Sequence, residues 1–146
     1  MWKHVLAVCA LMFCAAQPAL AQSDPELAKS LGADERGMRG FVLVILKTGP
    51  NRVPDGEART KMFEGHFANM NRLADEKKLV MAGPLDGVDG WRGLFVFNTR
   101  DIEEAKRMVA TDPVIINGEM VAEYHKFYGS AALMMVTDVH RKIEKK

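Results

Sequence analysis

Beyond residue 14 the chain has no cysteine; its two, Cys9 and Cys14, both lie near the start. Disulfide staples, thiolate metal sites and a cysteine nucleophile are therefore excluded downstream. An excess of charge is lacking too. Twenty basic residues face 19 acidic ones, so the electrostatic footprint of a nucleic-acid binder is missing. No uncharged run reaches the roughly 20 apolar residues that span a bilayer as a helix. The loop TGPNRVPDGEA has no Gly-Lys-Ser/Thr element and is not a phosphate loop. Ser23, Ser30 and Ser130 sit in no nucleophile elbow. His66, His125 and His140 stand apart, without HxH or HExxH spacing, so no metal site and no cofactor are expected. Met62, Met70, Met81, Met108 and Met120 fall inside predicted packed elements, where methionine serves as core filler rather than as a copper ligand.

What is present begins with a leader. Lys3 and His4 precede an uncharged apolar stretch, Val5–Ala16, and Ala19-Leu20-Ala21 has the small-x-small form of a cleavage site. Bulky Phe13 before Cys14 argues against a lipoprotein signal. The expectation is a secretory signal over 1–21, a secreted or periplasmic product starting at Gln22, and no membrane span once the signal is gone. Loss of Lys3 brings the basic residues down to 19, level with the acidic ones. The remainder fits one domain, with no repeat and no low-complexity tract.

The centre of the chain is GHFANMNRLADEKKLVMAGPL, residues 65–85. Phe63, Phe67, Met70 and Ala74 recur at helical spacing, which predicts an amphipathic helix over about 57–77. His66 falls about 60° off that stripe, at the boundary between core and solvent. Leu79–Ala82 is a short strand, expected to end at Gly83-Pro84 because proline has no N–H for the ladder.

The flanking elements follow in order. SDPELAKSL carries a cap and an early proline, giving one or two helical turns that end near Gly32, before a linker to residue 40. FVLVILK, 41–47, is apolar on both alternating faces, as a strand covered on both sides must be. LDGVDGWRG is a glycine-rich hairpin connection, and GLFVFNT, 93–99, is again apolar on both faces. Asp101 caps a helix with an Ile102, Ala105, Val109 stripe, stopped at Asp112-Pro113. A last strand covers about 119–127, and the tail 130–146 reads as helix.

The order β-α-β-β-α-β predicts an α+β, ferredoxin-like fold: a four-stranded antiparallel sheet with two helices on one face. The other face would then be a large apolar patch. A second subunit is the simplest cover, so a symmetric homodimer is expected. The alternative is that the tail helix folds back over that face.

These pieces together resemble the YciI-like (YCII-related) family of the dimeric α+β barrel superfamily. The carriers are FVLVILKTGP, His66, AGPL at 82–85, RGLFVF at 92–97, EEAKRMVATDP at 103–113, Gly118 and FYG at 127–129. The domain would run from 41 to 129, with 22–40 and 130–146 as extensions. The resemblance implies a ferredoxin-like fold, homodimerisation and a cleft served by a His/Asp pair. By position these are His66 and Asp112. Gly83-Pro84, read from the residues themselves as a strand end whose bare backbone lets a ligand approach closely, is expected to border the same cleft. One departure is Val114, where the family often carries an aromatic after Asp-Pro. A few relatives act on chlorinated hydroxyquinone rings; that substrate is not carried over.

A His–Asp pair is chemically coherent, because the carboxylate fixes the imidazole tautomer and steadies its protonated form. Two functions follow. One is a small cofactor-independent enzyme transferring a proton on a small molecule, aromatic or not. The other is a non-catalytic exported module that binds a small ligand or a partner protein. For the residues alone, the plain structural alternative is a solvated helix-edge histidine and an Asp-Pro helix stop.

Overall fold

Strand β1, Met38–Thr48, is the central beam of the sheet in a computed structural model that describes residues 23–145. The expected leader lies outside those residues. β1 pairs with β3, Trp91–Phe97, on one side and β4, Met120–Ser130, on the other. β2, Leu79–Pro84, pairs with β3 at the edge, giving the order β2-β3-β1-β4 with every neighbour antiparallel. That is the ferredoxin-like arrangement expected from the element order.

The sheet's parity explains the two-sided apolar strands. Val42, Val44 and Leu46 of β1 join Phe95 and Phe97 of β3 under the helices, in a core with Met62, Leu73, Met108, Val109 and Val114. The opposite parity, Phe41 and Val96 with Val80 of β2, forms a second cluster on the far face. Leu133 and Met134 of the tail pack on this second cluster. So a 3-10 turn, Ala131–Met135, does fold back over part of the far face, and α5, Val136–Ile143, follows it. At the other end of that face Trp91 and Val121 flank Lys47 in register and stay exposed.

Three boundaries differ from expectation for physical reasons. β1 starts at Met38, so 38–40 extend the strand rather than the linker, because β4 continues to Ser130 and offers them partners. β2 does not stop before Gly83-Pro84; it runs through them, which an edge strand tolerates because a proline without N–H forfeits no ladder bond on its open side. The second helix, α3, Ile102–Val109, ends before Asp112-Pro113, and a further single turn, α4, Pro113–Ile116, follows where none was expected. Asp112 therefore opens a new turn, its side chain accepting from the Val114 N–H, as well as following an old helix. The helix layer is thus the two expected helices, α2, Glu57–Asp75, and α3, with α4 adding one turn. In the N-terminal extension, α1, Pro25–Ser30, is capped by Asp24 as the sequence suggests, and Arg39 ties it down through Leu31 O at 2.7 Å. Among the described residues no helix is long and apolar enough to cross a membrane.

Candidate functional site

Helix α2 buries Met62, His66 and Leu73, while Phe63, Met70 and Ala74 are only partly covered. Phe67, placed on the buried stripe by its spacing, is 57% exposed. The buried face is thus rotated from the apolar stripe toward the histidine. His66 is not a boundary residue: it is 8% exposed. Apolar spacing misses this because what draws the imidazole inward is polar.

The attraction is Asp112, which is fully buried. His66 Nδ1 lies 2.8 Å from one Asp112 carboxylate oxygen and 3.0 Å from the other. Asp112 is placed by its own cap bond, with Oδ1 accepting the Val114 N–H at 3.1 Å. A buried carboxylate needs such partners, since an unpaired one is costly. Helix α2 can approach α4 because residue 65 is glycine. A Cβ there would come within 3.0 Å of Pro113 Cγ. The staggered positions of His66 and Asp112 in their helices are bridged by this close crossing.

With Nδ1 committed to Asp112, the chemistry is left to Nε2. The only buried side-chain nitrogen or oxygen without a partner among the described residues is Arg39 Nε. His66 Nε2 has no hydrogen-bond partner among the described residues and is not sealed from solvent, and the His66 side chain lines the adjoining cleft. This cleft has a volume of about 370 Å³ and is walled by Leu46, Phe63, Phe67, Met70, Phe95 and Met120. The imidazole stacks on Phe95, with ring centroids 6.1 Å apart and planes at 30°. Gly83 and Pro84 line the same cleft, and a Cβ on Gly83 would meet nothing within 4 Å. Of the four residues singled out from sequence, His66, Gly83 and Pro84 border the cleft. Asp112 does not; it sits behind the imidazole, as a positioning residue.

A second buried polar group precedes the cleft-lining Met120, and sequence reasoning overlooked it. Glu119 is 2% exposed and begins the approach to β4. One oxygen accepts the Val53 N–H at 2.7 Å, and the other meets Arg59 Nη1 at 2.9 Å. Burial pushes its carboxyl pKa up, but these two contacts outweigh burial and hold it below the ordinary value of 4.5. Gly49 makes this junction possible: its N–H bonds Glu119 O at 2.8 Å, and a Cβ there would strike the Gly118 carbonyl at 2.1 Å. No local spacing announces a buried glutamate whose partners are 60 or more residues away in sequence.

Residues 40–127, well over half of the chain, match the family model described as YCII-related domain. No curated protein matches the chain.

Proposed function

The chain belongs to the YCII-related domain family, and on that premise we propose that it is a small enzyme that moves a proton on a small molecule without a cofactor. The observation that carries this reading is the division of labour at one ring: Nδ1 engages both Asp112 oxygens, and Nε2 is left free in an apolar cleft. Asp112 fixes the tautomer in which Nδ1 carries the proton and Nε2 the lone pair, so Nε2 accepts a proton from a bound substrate and returns it elsewhere. As the imidazolium forms, the buried carboxylate stabilises it. The aromatic walls favour a small substrate with a flat apolar body, and the volume lies at the lower end for small-molecule sites.

The test is proton exchange. Incubated in D2O with a panel of enolisable carbonyl compounds and hydroxylated aromatics, the wild type should wash deuterium into at least one carbon position, followed by NMR. His66→Gln should not. Binding without exchange across the panel would overturn the enzymatic reading and leave the second one, a non-catalytic binding module, which the apolar cleft equally supports.

Two further parts of the reading concern where and how the protein works. We infer export from the leader pattern over 1–21, and mass spectrometry of the protein from its native cells should find Gln22 at the N-terminus. An intact Met1 on a cytosolic product would refute this. We also infer a homodimer through the far face of the sheet, where Trp91 and Val121 stay uncovered beyond the reach of the tail.

A further inference from the structure

We propose that Arg92 is a specificity residue that receives the carboxylate of a small apolar carboxylic acid in the His66 cleft. The proposal rests on the reading of that cleft as a small-molecule site, and adds the class of molecule it takes.

The argument starts in the ladder. Leu46 faces Gly93 and Lys47 faces Trp91, so Arg92 is an extra residue between two consecutive pairs. Such a bulge breaks the alternation of the strand and re-aims a side chain. Strict alternation would send Arg92 to the far face with Leu94 and Val96. Instead it joins Gly93 and Phe95 at the cleft that His66 also lines. Within that lining, Arg92 is the one side chain that is always charged, set among aromatic and aliphatic walls. A guanidinium turned into an apolar cleft by a local distortion of its strand calls for a partner.

The protein supplies that partner incompletely. The Glu119 carboxylate is 3.8 Å from Arg92 Nη1, beyond hydrogen-bond distance. Glu119 is already engaged by Arg59 and the Val53 N–H. Arg59 Nε also lies 3.5 Å from Asp55, which pairs with Arg52 at 3.2 Å. Three guanidiniums thus share two carboxylates, and the positive charge left over lies at the cleft. One monoanion would balance it. The planar fork of a guanidinium matches a carboxylate in two parallel bonds, and the apolar walls select the rest of the molecule.

The test uses two probes of the same shape, benzoate and neutral benzamide, titrated into isotope-labelled protein and followed by NMR shifts of cleft residues. Benzoate is expected to bind about tenfold more tightly than benzamide, as a charge-assisted pair implies. In Arg92→Met that preference should vanish while benzamide binding stays; in Arg92→Lys part of it should remain. Equal binding of both probes by the wild type, or a benzoate preference that survives in Arg92→Met, overturns the role of Arg92 and leaves the cleft reading standing. If neither probe perturbs the cleft at millimolar concentration, both fall. Should Arg92→Met fail to fold, the wild-type comparison alone still decides. A benzoate preference without proton exchange on any substrate keeps Arg92 and removes only catalysis.

Discussion

Gly65 and Pro113 meet where α2 crosses α4, so closely that a Cβ at position 65 would stand 3.0 Å from the proline ring. This contact lies one residue from each member of the His66–Asp112 pair. A glycine in a helix interior costs about 1 kcal/mol against alanine, so its presence here has a packing reason. Gly65→Val would drive branched carbons into Pro113. The expected result is a loss of about 1–3 kcal/mol in urea unfolding, the usual range for overpacking. The His66 ring signals should shift as well, because the same displacement separates Nδ1 from Asp112. A variant with wild-type stability and unchanged His66 signals would show that the crossing is not tight.

Asp112 does two jobs that a substitution can separate. It caps α4 through the Val114 N–H and holds His66 through Nδ1. Asparagine keeps an oxygen for the cap but can present N–H to the imidazole. In Asp112→Asn the neutral ring should therefore shift toward the tautomer with the proton on Nε2, seen in long-range proton–nitrogen spectra. Any deuterium exchange supported by the wild type should fall by orders of magnitude, by analogy with wrong-tautomer variants of catalytic triads. Asp112→Ala loses both jobs and should cost about 1–3 kcal/mol more in stability than the asparagine variant. An unchanged tautomer in Asp112→Asn would remove the positioning role.

The strands were legible because each carries its own signal. FVLVILK and GLFVFNT are apolar on both parities, and both faces are covered where those residues lie. The pairing of His66 with Asp112 came from resemblance and not from periodicity; spacing alone put His66 at a boundary, since it weighs apolar residues and ignores a buried carboxylate. Gly83-Pro84 looked like a stop because a proline's damage depends on whether its strand is at an edge, which is a tertiary fact. The bulge at Arg92 and the clamp on Glu119 were invisible for a related reason. Both are set by residues on other strands and loops, and neither leaves a local pattern.

Glu119 makes stability depend on acid. Its folded carboxyl pKa is held below the ordinary 4.5 by the Val53 N–H and Arg59, against the opposing effect of burial. As pH falls below about 4.5, the unfolded chain takes up this proton before the folded one does, so unfolding gains and stability drops. The contribution is fully present above that pH and is lost as pH falls through the folded value. Glu119→Gln should be less stable by about 3–5 kcal/mol at pH 7, the cost of breaking a buried pair. Its deficit should shrink as both proteins are acidified toward pH 3. Urea unfolding across this range checks it; two parallel stability curves would mean that Glu119 does not titrate differently on folding.

The far face of the sheet yields a prediction about assembly. The tail covers one end, where Leu133 and Met134 rest on the cluster of Phe41, Val80 and Val96. At the other end, Trp91 is 42% and Val121 is 44% exposed, with Lys47 between them in register. Charged and apolar groups alternate there. Lys47 and His125 both pair with Glu123, at 3.4 and 2.8 Å, which leaves the apolar side chains free for a partner. A second copy of the same face, related by a two-fold axis, would bury both apolar ends against each other. The wild type should then run as a dimer by light scattering at micromolar concentration. Val121 is exposed in the single chain, so a charge there should change the monomer's own stability by no more than about 0.5 kcal/mol. Val121→Glu is therefore expected to shift the protein to a folded monomer, with an unchanged unfolding slope at a concentration where both forms are monomeric. A wild type that is monomeric from the outset would mean that the tail alone is cover enough for this face.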